Sequence, residues 1–196
     1  MIDKDEVIAF FDSWAPEWDA GMVCDDEVID IILDNAGVHS GSRVLDVACG
    51  TGVLVPYYLK RNVSSVTGVD ISPGMIAVAR SKFMSRSNVR LLCADAETGS
   101  FGTGFDSIVI YNAFPHFADS GRLIGNLVSM LSSGGILTVA HGMSRDRVNS
   151  HHSGSASRVS NGLPEAEDLA ALFSGHLEVT AVISDDRMYQ VCGKAR

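Results

Sequence analysis

Three aspartates and a glycine turn are the residues whose types and spacing suit them to handle a ligand. The run Arg43-Val44-Leu45-Asp46-Val47 reads as a β-strand and passes straight into Ala48-Cys49-Gly50-Thr51-Gly52, after which the pattern turns helical. Gly50 and Gly52 lack a Cβ and reach dihedrals that other residues avoid, so the backbone there can approach a small molecule closely. Two nucleotide readings of the turn fail on spelling. A dinucleotide fingerprint needs glycine at the positions of Ala48, Gly50 and Val53, and only the middle one qualifies, which disfavours an NAD-dependent reductase. A phosphate-binding P-loop needs Gly-Lys-Ser/Thr, which the chain lacks. Two more strand-like runs end on acids: Ser65 to Asp70, and Val89 to Ala94 followed by Asp95.

The elements that must position these groups alternate along the chain. Asp3 is placed to cap a first helix, with Glu6 three residues on and Val7, Phe10 and Phe11 before Pro16; Trp14 and Trp18 fall in an irregular connection. A second helix is expected over Asp26 to Asn35, with Val28, Ile31 and Ile32 on its apolar face and Gly37 as its stop. The helix from about Leu54 accepts Pro56 only in its first turn, and Ser72-Pro73 caps and opens another that carries Met75, Val78, Ala79 and Phe83. A fourth strand runs from Phe105 to Tyr111, and a helix follows over Arg122 to Leu131. Ser132-Ser133-Gly134-Gly135 then turns into a fifth strand, Ile136 to His141. Gly142 to Gly162 is polar, and Pro164 opens a helix through Leu169, Leu172 and Phe173. The last two strands, Leu177 to Ser184 and Met188 to Gly193, are separated by three residues, which permits a hairpin and no parallel crossover. The fold class that follows is α/β: a Rossmann-like, doubly wound, mostly parallel sheet with an antiparallel C-terminal pair, flanked by helices.

A length of 196 residues suits one domain over 1–196, and 46% apolar with 20% charged residues is the balance of a globular protein. No apolar run approaches the roughly 18 residues of a membrane span. A net charge of −9 repels phosphate backbones and makes nucleic acid an unlikely partner. The N-terminus lacks a basic n-region and apolar core, and Cys24, Cys49, Cys93 and Cys192 show no paired spacing. Reduced thiols in the cytoplasm are therefore expected.

The stretch Asp46 to Gly52 resembles motif I of the class I S-adenosylmethionine-dependent methyltransferases, an acid at a strand end followed by x-G/A-x-G-x-G. The segment Phe10 to Asp19 is similar to the F-D-x-x-A-x-x-Y-D segment of the ubiquinone/menaquinone-biosynthesis type, with Trp18 in place of the tyrosine. This resemblance implies S-adenosyl-L-methionine as cofactor and S-adenosyl-L-homocysteine as product. It places Asp46 and the backbone of Ala48, Gly50 and Gly52 around the methionine amine and carboxylate, and Asp70 on the ribose hydroxyls. Ile71 and Met75 then line the adenine, Asp95 accepts from its amino group, and the Ala96 N–H serves a ring nitrogen. Asn112 meets the methionine part, Trp18 lies against the cofactor, and helices within residues 1–40 cover the site.

The strand ends left for a methyl acceptor carry His116 and His141, and the polar segment beyond adds Arg145, His151, His152 and Arg158. Three readings stand. The histidines are incidental to a solvated loop; or His116 or His141 is a general base, with Arg145 and Arg158 binding an anionic acceptor; or His116, His141 and one of His151 and His152 hold a divalent metal that orients the acceptor. No H-x-x-x-H spacing marks a metal site, so the metal stays open. Asn112-Ala113-Phe114-Pro115 replaces the Asn/Asp-Pro-Pro-aromatic motif of enzymes that methylate base amino groups. The expected function is methyl transfer to a small-molecule acceptor by in-line displacement, with a non-catalytic S-adenosylmethionine-binding regulator as the rival and a homodimer as a compatible assembly.

Overall fold

Strands covered on both faces need apolar side chains throughout, and the central runs of this chain supply them. In β1 (Arg43–Val47) every residue after the first is buried, and in β4 (Phe105–Tyr111) the stretch 107–110 is buried without a break. The computed structural model describes residues 2–152 and 155–196, apart from the side chains of 151, 152, 155 and 156. With β2 (Ser65–Asp70), β3 (Val89–Cys93), β5 (Leu131–His141), β6 (Glu178–Ser184) and β7 (Tyr189–Lys194), these strands form one sheet in the order β3-β2-β1-β4-β5-β7-β6. The first five are parallel, and β7 runs antiparallel to both β5 and β6. Val44 pairs with Val66 on one side and Ser107 on the other, so the chain winds outward from β1 and returns beside it at β4. The carboxyl ends of β1 and β4 flank that reversal, where open α/β sheets bind their ligands.

Helices form where caps and proline positions allow them. Asp3, Asp25, Ser72 and Asp119 accept backbone N–H bonds at the starts of α1 (Lys4–Trp14), α2 (Asp26–Asn35), α4 (Pro73–Phe83) and α5 (Ser120–Val128). Pro56 lies in the first turn of α3 (Val55–Lys60), where its missing N–H is harmless. Ile29, Leu33, Leu54 and Tyr58 pack together on one side of the sheet, and Leu123, Leu127 and Phe173 belong to the core on the other. Among the described residues, no helix is long and apolar enough to cross a membrane.

Four details differ from the sequence reading. The inward face of α2 is Val28, Ile29, Ile32 and Leu33, while Ile31 is 37% exposed, because a stripe of neighbouring pairs four residues apart turns Ile31 outward. Helix α5 stops at Val128, not Leu131. Leu131 already pairs with Phe105, and a Cβ on Gly135 would stand 2.7 Å from the Phe105 carbonyl oxygen, so residues 132–135 run as an irregular part of β5. The polar segment contains α6 (Arg145–His152) and a 3-10 turn (Ser155–Val159). Its buried anchors, Val148 and Val159, are too far apart to make a periodic signal. Finally, α7 (Ala166–Ser174) buries Leu169 and Phe173 but leaves Leu172 at 37% exposure.

Candidate active site

A cavity of about 350 Å³ opens at the carboxyl ends of the parallel strands. The turn after β1 forms its floor. Ala48 and Gly50 hold positive φ, +54° and +55°, and Ala48 is one of the non-glycine residues in that region, a conformation that concentrates at ligand sites. Cys49 N–H donates to the Val69 carbonyl at 3.0 Å and Gly50 N–H to Asp70 Oδ2 at 2.8 Å, which fastens the turn to the end of β2. A Cβ on Gly50 would meet only Trp18 Nε1, at 4.0 Å, so its open side faces the cavity. Gly52 has a different reason to be glycine. A Cβ there would lie 2.6 Å from Phe83 Cε2, and Gly52 does not line the cavity, so it serves packing against α4. That departs from the close-approach role expected of it.

The acids occupy three distinct environments. Asp46 is buried and its Oδ2 makes no hydrogen bond of normal geometry among the described residues; burial pushes the carboxyl up to about 8, the Asp70 charge adds to this, and the nearby Tyr58 hydroxyl works the other way. Burial also raises Asp70, against hydrogen bonds from Ser72 N–H and Gly50 N–H that favour its charge. Asp95 goes down: partial burial opposes its charge, but bonds from the Lys4 ammonium, Glu97 N–H and the Thr98 hydroxyl outweigh that. Lys4 Nζ also reaches Glu97 Oε2 at 2.7 Å, and Glu97 Oε1 accepts from the N–H groups of Ala118 and Asp119.

The N-terminal segment closes over these acids, and each matched position of its motif has a physical task. Phe11 stands edge-on to Trp18 at 5.6 Å and to His116 at 5.0 Å between ring centroids. Asp12 accepts from the Ser72 hydroxyl and from Gly74 N–H, joining α1 to the start of α4. Ala15 is buried, its Cβ 3.2 Å from where a Cβ on Gly74 would lie. Asp19 accepts from the Thr51 hydroxyl at 2.6 Å and pairs with Lys82 at 2.7 Å. Trp18, Asp46, Ala48, Gly50, Asp70, Ile71, Met75, Asp95, Ala96 and Asn112 all line the cavity.

The rim predicted from sequence is not assembled as one group. His116 lines the cavity, and its Nδ1 lies 2.7 Å from the Val159 carbonyl oxygen, so the ring donates there. His141 is buried at the end of β5, opposite Tyr189, with the two rings edge-on at 6.2 Å, and it does not line the cavity. Arg145 donates to the Leu163 carbonyl and pairs with Glu165 at 3.0 Å, away from the cavity; Arg158 is exposed and also off it. The side chains of His151 and His152 lie outside the described residues. Among the described residues, no group of three His, Cys, Asp or Glu could hold a metal ion. Sequence reasoning missed Lys4, Met22, Cys24, Glu97, Tyr111, Phe117 and Met143 as lining residues. None lies in a motif, and only their nearness to strand ends or to the first helix could have marked them.

Comparison with known proteins now bears on this geometry. The family described as Methyltransferase domain matches residues 44–135, which carry the glycine turn and all three acids. The chain is 36% identical over 140 residues to the malonyl-acyl-carrier-protein O-methyltransferase of Acetivibrio thermocellus, covering 70% of this chain and 49% of that one. It is 39% identical over 114 residues to the demethylmenaquinone methyltransferase of Thermus thermophilus, covering 57% and 50%. The chain belongs to the class I S-adenosylmethionine-dependent methyltransferases. It spans about half the length of these two curated relatives. A crystal structure of a methyltransferase from Aquifex aeolicus superposes with a TM-score of 0.69 at 16% identity over the whole of both chains, a likeness of fold.

The residues present fit the cofactor of this methyltransferase family. Asp46 Oδ2 is a buried acceptor in want of a donor, which an ammonium supplies. The side of Gly50 toward the cavity is open to a ligand backbone, and Ile71, Met75 and Ala96 give an apolar slot beside the Asp95 carboxylate.

Proposed function

We propose that this protein transfers a methyl group from S-adenosylmethionine to a small-molecule acceptor, with His116 taking the acceptor's proton. When bound, S-adenosylmethionine supplies a methyl group on a cationic sulfur, an electrophile open to in-line attack. Asp46 and the 48–50 turn hold the methionine end, Asp70 the ribose, and Ile71, Met75, Asp95 and Ala96 the adenine. Asn112 and Trp18 flank the methyl-bearing end. Residues 1–196 act as one domain, and the free thiols of all four cysteines suit a reducing cytoplasm.

The observation that carries the reading is the placement of His116. It is the one histidine among the described residues that lines the cavity. The Val159 carbonyl accepts from its Nδ1, and Phe11 stands edge-on to its ring. A base held this way contributes roughly 10² to 10⁴ in rate where the acceptor carries a proton, and fixing the acceptor in attack geometry contributes about 7 to 11 kcal/mol in favourable cases. Two of the sequence alternatives lose their support. Arg145 and Arg158 do not line the cavity to meet an anion, and His141 does not line it to act as base or ligand.

A thermal-shift comparison tests the cofactor, and label transfer tests the chemistry. S-adenosylhomocysteine should raise the unfolding midpoint and NADH should not. Methyl-labelled S-adenosylmethionine incubated with protein and small-molecule extracts should yield a labelled product, and much less of it with His116→Gln. Stabilisation by NADH alone would overturn the reading.

A further inference from the structure

The wall of the cavity left over after the cofactor residues are set aside has a definite chemistry. Met22, Cys24, Tyr111, Phe117 and Met143 line the same cavity as His116, and none of these five carries a charge at neutral pH. Burial and the nearby acids raise the Cys24 thiol, and burial raises the Tyr111 phenol to about 12, so both stay protonated. The mouth continues the same character: Met22 is 36% and Val23 95% exposed, both apolar and both lining the opening.

The charged groups of the cavity are equally one-sided. Lys4 is the only cation from Lys or Arg among the described lining residues, and it is committed to Asp95 and Glu97 at 2.7 Å each. Asp46, Asp70, Asp95 and Glu97 supply acid. An acceptor carboxylate held against this wall would thus lose its hydration without gaining a counter-charge from any described side chain; burying a charge unpaired is strongly unfavourable.

On the methyltransferase reading above, we propose that the acceptor is an uncharged, largely apolar molecule that presents one protic nucleophile to His116, and that carboxylate-bearing acceptors are rejected by the uncharged wall that Met22, Cys24, Tyr111, Phe117 and Met143 form among the described residues. Selectivity here comes from a missing partner. Adding the partner should therefore reverse it.

The test uses a matched pair of catechols, 3,4-dihydroxybenzoate and its ethyl ester, titrated calorimetrically into the full chain saturated with S-adenosylhomocysteine. The ester should bind at least about tenfold more tightly than the acid, since only the acid buries an unpaired charge. Met143→Arg should narrow or invert that ratio while leaving S-adenosylhomocysteine affinity unchanged, which also shows that the variant is folded. Equal affinities, tighter binding of the acid, or binding of neither catechol by a chain that holds S-adenosylhomocysteine overturns the acceptor class and leaves the methyltransferase reading standing. Failure to bind S-adenosylhomocysteine at all overturns that reading, and this one with it.

Discussion

The Lys4 ammonium lies 2.7 Å from Asp95 Oδ2, so the first turn of α1 is fastened to the acid that follows β3. The same nitrogen pairs with the buried Glu97, whose other oxygen accepts two backbone N–H bonds ahead of α5. One side chain thereby ties the covering helix to two loops of the sheet's binding edge. Because Lys4 is about a third exposed, solvent screens the pair, and Lys4→Met should lower stability by only roughly 0.5 to 1 kcal/mol. Its larger effect should be local: faster amide exchange along α1, restored by Lys4→Arg. Unchanged exchange in α1 would show that the tie does not hold the helix down.

Asp46 makes stability depend on pH. Its carboxyl stays protonated up to about 8 in the folded chain, against an ordinary 3.8 when unfolded. Between those values the folded state binds the extra proton, so stability falls as pH rises from about 4 to 8, by at most about 1.4 kcal/mol per pH unit, and levels off above. Asp46→Asn should flatten that slope in denaturant titrations from pH 5 to 8. Pairing with a ligand ammonium reverses the preference, so S-adenosylhomocysteine binding at pH 7 should release a proton, read as a calorimetric enthalpy that varies with buffer. The Asn variant should show no such dependence.

The two glycines of the turn should fail in different ways. Gly52→Ala drives a Cβ into Phe83 at φ +84° and should cost roughly 1 to 3 kcal/mol of stability, with cofactor affinity of the folded protein retained. Gly50→Val is also strained at φ +55°, but with little except the cavity in front of it, it should in addition abolish S-adenosylhomocysteine binding by the folded protein. Equilibrium unfolding and calorimetry on both variants separate the outcomes. Loss of affinity in Gly52→Ala alone would reverse the assignment.

The two histidines divide in the same manner. His116→Gln should reduce methyl transfer by about 10² to 10⁴ with cofactor affinity kept. His141→Ala should leave turnover per folded molecule unchanged and lower stability by roughly 1 to 3 kcal/mol, as truncation of a buried side chain does. Turnover lost in His141→Ala at full stability would restore it to the site.

The strands and their acids were legible because each carries its own local signal. β1, β2 and β4 are short β-branched runs, and the acids and glycines that follow them mark where the backbone must turn. The segment from Phe11 to Asp19 was legible as a motif, although the tasks of Asp12 and Asp19, bonding to Gly74 and Thr51, depend on contacts some sixty and thirty residues away. What sequence could not give was direction. His116 and His141 both follow strand ends, yet the first enters the cavity from a 3-10 turn and the second stays within the β5–β7 ladder. Arg145 reads as an anion ligand until Glu165 is seen beside it. The helical form of residues 145–152 and 155–159 rests on burial of Val148 and Val159, a tertiary effect without a periodic trace.

Direct titration of S-adenosylhomocysteine into the purified chain tests the central claim. The account predicts saturable binding at one molecule per chain, weakened at least about tenfold by Asp70→Asn, which removes a charged acceptor from the ribose hydroxyls. No heat and no saturation with the folded wild-type chain, or identical affinity in the folded Asp70→Asn variant, would contradict it.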